Sequence, residues 1–178
     1  MAANQSPWPR EWLMTDERLG DRLWEALERL PAGAGGVVFR HAELDPTDRL
    51  ALGQEVAAVA SARGLTLAVA RSQTLAEELG AQLVHNPDFA GKLPFSRSVH
   101  EEGEAITARD AGASLVFISP VFPTRSHPDR PPLGIGRALT LANLAGVPAI
   151  ALGGMNAERF ESLSGQFHGY AGIDCWLD

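Results

Sequence analysis

Four of the five histidines, His41, His85, His100 and His127, stand where an apolar run gives way to a loop or a helical segment. An imidazole, with an ordinary pKa of about 6.5, gives and takes protons at neutral pH, so that placement suits acid–base chemistry. The bland alternative is that histidine merely tolerates strand ends. A second feature is Gly153-Gly154-Met155-Asn156, directly after the run VPAIAL. Two glycines let backbone N–H groups approach an oxyanion where a helix begins, and a plain tight turn is the competing reading. The third is PVFPTRSHPDRPPLG, Pro120 to Gly134, which carries Thr124, Ser126 and His127 beside Arg125 and Arg130. A loop that long in a compact domain is a lid, a binding loop or a solvated flap.

The elements that must position these groups follow a repeating unit. A segment of helical period is followed by a glycine and a short apolar run at Gly64 before LTLAVA, Gly80 before AQLVH, Gly112 before ASLVFIS and Gly146 before VPAIAL. Glycine ends a helix in the left-handed conformation, and an unalternated apolar run suits a strand buried on both faces. Strands are expected at 11–15, 36–40, 65–70, 82–85, 93–98, 114–119, 147–152 and 169–174. The stripe Leu19, Leu23, Leu27 and Leu30 predicts a helix from Asp16 to Leu30. Leu52, Val56, Val59 and Ala60, after the cap Asp45-Pro46, predict another from Thr47 to Arg63. His100 to Ala111 begins acidic, as a helix N-terminus favours.

Strict βα alternation gives a parallel sheet with helices outside, and eight units without an edge-strand signal favour a closed (β/α)8 TIM barrel. Function then collects where strands end, and phosphate is often held after strands 7 and 8. The units are lean, and the run of elements stops at the eighth strand, so the last outer helix is expected to be missing. That predicts an exposed apolar flank, coverable by an N-terminal segment or a second subunit, and hence a homodimer.

Composition narrows the classes. The 178 residues, 45% of them hydrophobic, suit one domain spanning 1–178. A net charge of −7 offers no basic stripe for nucleic acid. No apolar run is long enough for a membrane span, the first residues lack a signal-peptide pattern, and Cys175 is the only cysteine, which predicts a cytoplasmic protein without disulfides. Lys92 is the sole lysine, so arginine supplies nearly all the positive charge.

In order along the chain, WLMTDE, GVVFRH, LAEELGAQLVH, SRSVHEEGEA, SLVFISPVFPTRSHPDRPPLG and VPAIALGGMNAERF resemble the thiamine phosphate synthase and thiazole tautomerase (TenI) family. The resemblance implies a TIM barrel binding a small thiazole or thiamine-related phosphate. The family's synthases hold a pyrimidine diphosphate through Gln-x-Arg-x-Lys after strand 2, Asn-Asp after strand 3, Asp after strand 4 and Lys in the strand 6 loop. Here those places read Val38-Phe39-Arg40-His41-Ala42, Ala70-Arg71, His85-Asn86-Pro87-Asp88 and His127, with Asp88 two positions early and Ala90 where a carboxylate belongs. Magnesium needs oxygen ligands, and diphosphate transfer needs that metal or several fixed cations, so most of both are expected to be lost. Asp88, Arg71 and Arg40 could instead form a rearranged site.

The tautomerase branch needs neither metal nor diphosphate, and Arg97-Ser98-Val99-His100 matches its segment after strand 5. By this resemblance His100 is the proton-transfer residue, with His127 its rival. Arg40, His85, Ser98, Thr124 and Ser126 bind substrate, and Gly153, Gly154 and Asp174 lie at the phosphate. No metal or cofactor is implied, and magnesium enters only for a synthase. Asp174 stands where the family has a small or hydroxyl residue. Either it points away, Arg97 or Arg125 offsets it, or the ligand is not a phosphate. Three functions follow: tautomerase, synthase, or a non-catalytic paralogue that binds a related ligand or partner.

Overall fold

The eight apolar runs pair in parallel, each with the next, as β1 (Glu11–Met14), β2 (Gly35–Phe39), β3 (Thr66–Ala70), β4 (Leu83–His85), β5 (Phe95–Val99), β6 (Leu115–Ile118), β7 (Ala149–Leu152) and β8 (Gly169–Gly172). β8 then pairs with β1, Tyr170 opposite Glu11, and the sheet closes into a barrel. The structure is a computed structural model that describes residues 6–125, 128–163 and 165–177.

The helices are α1 (Arg22–Arg29), α2 (Pro46–Ala62), α3 (Gln73–Glu78), α4 (Glu102–Asp110), α5 (Gly134–Ala145) and α6 (Ala157–Ser162). Their starts follow the side-chain chemistry. Asp45 accepts from the backbone N–H groups of Thr47 and Asp48, Ser72 from that of Leu75, and Asn156 from that of Arg159, each satisfying an otherwise orphaned donor. All four glycines of the repeating unit have positive φ, as helix-ending residues do, among them Gly146 at φ 63° closing α5. The expected helix from Asp16 to Leu30 is split, with a 3-10 turn at Glu17–Leu19 ahead of α1. The alternation is also incomplete: β4 passes to β5 through the loop 86–94 without a helix.

Two apolar layers hold the barrel. Inside, Trp12, Met14, Val38, Leu83, Leu115 and Phe117 fill the lumen, with the Trp12 ring edge-on to Phe117 at 5.6 Å between centroids. Gly36 makes room for that indole, since a Cβ there would lie 2.5 Å from Trp12 Cε3. Outside, alternate strand residues such as Leu13, Val37, Phe39 and Val69 meet Leu23, Leu27, Val56 and Leu141 of the helices.

After β8 the described chain makes only a 3-10 turn, Asp174–Trp176. The apolar flank expected to be open there is closed. Trp176 is buried, stacks on Tyr170 at 5.8 Å, and donates from Nε1 to the Trp12 carbonyl at 3.0 Å. Arg22 Nη2 ties the turn to α1 by donating to the Leu177 carbonyl at 2.7 Å. The exposed large hydrophobic side chains, Phe89, Ile106 and Ile135, lie elsewhere. Among the described residues no helix is long and apolar enough to cross a membrane.

Candidate functional site

The carboxyl ends of the strands surround a cavity of about 1020 Å³. Arg40, His85, Ser98, His100, Thr124, Gly153, Gly154 and Asp174 all line it, so the expected site residues converge. Ser126 and His127 lie outside the described residues.

At the β1 and β2 ends, Thr15 is buried and organises its neighbours. Its Oγ1 accepts from the Arg40 backbone N–H at 2.9 Å and lies 3.0 Å from Nδ1 of His41. His41 is therefore a packing group, its ring stacked on Phe39 at 5.2 Å, and burial holds it below the ordinary imidazole range. Arg40 donates from Nε to the Thr15 carbonyl at 2.6 Å and from Nη2 to Asp16 at 3.2 Å. Burial alone would raise the Asp16 carboxyl. Hydrogen bonds from the Arg18 side chain and backbone, with the charges of Arg18 and Arg40, outweigh that and hold it low.

At β4 and β5, a neutral network forms the cavity wall. The Ser98 backbone N–H donates to Asn86 Oδ1 at 2.8 Å, which turns Nδ2 toward Ser98 Oγ at 2.9 Å and His85 Nε2 at 3.2 Å. His85 Nε2 thus accepts, and Nδ1 carries the proton toward Ser96 Oγ at 2.9 Å. Burial, helped by the charges of Arg40 and Arg97, pushes the His85 imidazole down to about 3. It is a neutral hydrogen-bonding group, not a proton shuttle.

His100 differs. Its backbone N–H donates to Glu104 Oε2 at 2.6 Å and its Nδ1 lies 2.7 Å from the Ser119 carbonyl. A carbonyl can only accept, so Nδ1 carries a proton and, in the neutral ring, the lone pair falls to Nε2. The ring is half-buried and borders the cavity. This arrangement can take up a proton.

Across the cavity, Gly153 and Gly154 have φ 92° and 62°. A Cβ on Gly153 would lie 2.7 Å from Pro120 Cα, and one on Gly154 would run into the Pro123 carbonyl, so the turn packs directly under the β6 loop. Its backbone need for glycine is real whatever it binds. α6 has only six residues, short for a strong helix-end field, but Arg159 donates to the Gly154 carbonyl and lies over the Phe122 ring at 5.1 Å, bringing a cation to the turn.

Asp174 is exposed and borders the cavity, so it does not turn away. Its charge acts on Arg18, and Arg97 is engaged elsewhere, donating to the Pro87 carbonyl at 3.1 Å. The offsetting cation missed in the sequence is Arg18, which sits two residues after the β1-end Asp16. The expected loss of fixed cations is also corrected: Arg18, Arg40, Arg71, Arg125, Arg130 and Arg159 line the cavity. Arg40, Arg71, Arg125 and Arg130 stood out in the sequence, whereas Arg18 and Arg159 did not, because the six come from five different connections.

The carboxylates nearest the expected metal positions are paired with arginines. Arg71 follows β3 and pairs with Asp88 at 3.1 Å, while Asp16 is engaged by Arg18 and Arg40. Among the described residues no group of three or more histidine, cysteine or carboxylate side chains could hold a metal ion.

A closed parallel barrel with an arginine-lined cavity at the carboxyl ends of its strands defines a TIM-barrel protein with a small-ligand site on its working face. A family model described as thiamine monophosphate synthase (TMP-TenI) matches residues 12–174. The thiamine-phosphate synthase of Thermus thermophilus is 30% identical over 170 residues, 86% of this chain and 82% of that protein. That of Pyrococcus horikoshii is 26% identical over 158 residues, 83% and 76% of the two chains. The structure of a thiamine phosphate pyrophosphorylase from Pyrococcus furiosus superposes with a TM-score of 0.79 at 21% identity, covering 93% of this chain and 85% of that one. The chain belongs to the thiamine monophosphate synthase family.

Proposed function

We propose that the cavity binds a small phosphorylated thiazole carboxylate and moves a proton on it, a tautomerase reaction of the TenI kind, with His100 as the base. The observation that carries this is the Nδ1 contact of His100 with the Ser119 carbonyl, which reserves Nε2 for proton uptake. His100 takes the proton from a ring carbon of the non-aromatic tautomer. It, or water, returns a proton at the other end of the rearranged double bond, so the reaction consumes no co-reactant. The Gly153–Gly154 turn with Arg159 holds the phosphate, Arg40 offers a second cation, and the His85, Asn86 and Ser98 network meets the neutral ring. None of this calls for a metal or an organic cofactor.

A second reading, thiamine phosphate synthesis from a pyrimidine diphosphate and a thiazole phosphate, is favoured by the names of the relatives. The cavity of about 1020 Å³ has room for two such molecules, and its arginines could absorb charge on a departing diphosphate. The test gives purified protein the thiazole phosphate carboxylate alone, then thiazole phosphate with pyrimidine diphosphate and magnesium. Tautomer formation that disappears in His100→Asn supports the first reading. Thiamine phosphate formation without tautomerase activity overturns it, and neither activity, with or without a thermal shift by either ligand, assigns a non-catalytic role.

A further inference from the structure

The register of the last two strands sets a carboxylate beside the glycine turn. Leu152 of β7 pairs with Ala171 of β8, so two residues further on Gly154 stands level with Ile173, and Asp174 follows directly. Neighbouring strands lie only about 4.8 Å apart, and Gly153, Gly154 and Asp174 all border the same cavity. The turn after β8 keeps Asp174 in place. The Leu177 N–H donates to the Asp174 carbonyl at 2.9 Å, and Cys175 packs so closely on Gly172 that a Cβ there would run into its Sγ.

The charges on this side of the cavity are largely matched before a ligand arrives. Arg18 holds both Asp16 oxygens, from Nε at 2.7 Å and from Nη2 at 3.1 Å, and also feels the charge of Asp174. Arg40 donates to Asp16 at 3.2 Å, and Arg159 is bound to the Gly154 carbonyl. These three guanidinium groups against the carboxylates of Asp16 and Asp174 leave one positive charge, and the Cys175 thiol is the other titratable group of the turn. A phosphate monoester loses its second proton near pH 6, so at neutral pH it arrives largely with two negative charges. A single positive charge matches the singly charged form, whereas the doubly charged form is repelled by Asp174.

We propose that Asp174 is a specificity-determining residue that admits the ligand's phosphoryl group in its singly charged form, with one proton held between the carboxylate and a phosphoryl oxygen. This rests on the reading that a phosphoryl group lies at the Gly153–Gly154 turn. Two acidic groups in contact cannot both stay ionised, and one proton shared between them makes a short, charge-assisted hydrogen bond out of a repulsive contact. The proton comes from solvent as the ligand binds, and no bond to phosphorus changes. Asp174 thereby sets which charge state of the ligand is bound and plays no part in the proton transfer at His100.

Calorimetric titration of the whole chain with thiazole phosphate, in buffers of different ionisation heat, reads the protons taken up on binding. At pH 7.5 the wild type takes up about one proton per ligand, and its affinity rises on the order of tenfold or more between pH 8 and pH 6. Asp174→Asn and Asp174→Ser take up almost none, bind severalfold more tightly than wild type at pH 8, and keep the wild-type Tm. His100→Asn retains the uptake, which separates this proton from the imidazole. Saturable binding without proton uptake, uptake unchanged in both Asp174 variants, or uptake lost in His100→Asn overturns the role of Asp174 and leaves the phosphate reading standing. Binding seen only once Asp174 is replaced shows that the carboxylate excludes phosphate, and also overturns that role. If thiazole phosphate binds neither the wild type nor the variants, both readings fall. A purely structural Asp174–Arg18 pair predicts a lower Tm in the Asp174 variants and unchanged uptake.

Discussion

At the scale of single residues, two histidines one strand apart have opposite chemistry. His85 has a proton on one ring nitrogen, an acceptor lone pair on the other and is buried, so it stays neutral. His100 has one nitrogen committed and, among the described residues, no hydrogen-bond partner on the other. Substituting His100→Asn keeps polarity and removes the titratable ring. Turnover of the thiazole phosphate carboxylate should fall on the order of 10² to 10⁴-fold with little change in KM, measured by steady-state kinetics. Activity within a few-fold of wild type would sink the assignment. His85 makes its mark on stability instead. Its folded pKa is about 3 against 6.5 unfolded, so between those values the unfolded chain binds more protons. The contribution is complete above about pH 6.5 and drains away as pH falls toward 3, on the order of a few kcal/mol in all. Urea midpoints followed from pH 7 to 4 should therefore fall less steeply in His85→Gln than in wild type. Equal slopes would show that His85 titrates alike in the folded and unfolded chains.

At the scale of elements, the Gly153–Gly154 turn and the β6 loop behave as one unit. Val121 donates to the Leu152 carbonyl at 2.9 Å and Phe122 to the Gly153 carbonyl at 3.1 Å, so the loop is clamped onto β7. Gly153→Ala places a Cβ 2.7 Å from Pro120 Cα at φ 92°. The expected outcome is a clear fall in Tm, with roughly 1–3 kcal/mol from the backbone strain alone, together with weaker binding of thiazole phosphate. An unchanged Tm would mean that the two segments separate readily. All eight strands were legible in the sequence, four of them, β3, β4, β6 and β7, most clearly, because an unalternated apolar run after a helix-ending glycine has few other uses. The helix missing between β4 and β5 was less so: NPDFAGKLP carries turn residues and little helical period, but strict βα alternation suggested a helix there. The rim position of the site residues followed from the strand ends. Arg18, Arg71 and Arg159 were not legible as a set, since each acquires its place only when distant connections meet over the barrel.

At the scale of the whole molecule, closure depends on how the seam between β8 and β1 is covered. A regular barrel packs an outer helix there, and this chain uses the Asp174–Trp176 turn. The Trp176 indole stacks on Tyr170, which reaches Glu11 of β1, and its Nε1 donates to the Trp12 carbonyl, so one side chain braces both strands of the seam. That cover removes the exposed flank on which a homodimer was expected; whether copies associate is then a matter for the surfaces bearing Phe89, Ile106 and Ile135, read by light scattering across concentration. Trp176 itself is the sharper test. Trp176→Ala deletes a buried aromatic and orphans a buried carbonyl, and should cost about 3–5 kcal/mol in urea unfolding. Trp176→Phe keeps the stacking partner and loses the hydrogen bond, and should cost much less, about 1–2 kcal/mol. Because Asp174 and Ile173 line the cavity from the same segment, the alanine variant should also loosen ligand binding, whereas the phenylalanine variant should not. If both variants unfold at the wild-type midpoint, the turn does not hold the seam, and another part of the chain or a second subunit must cover it.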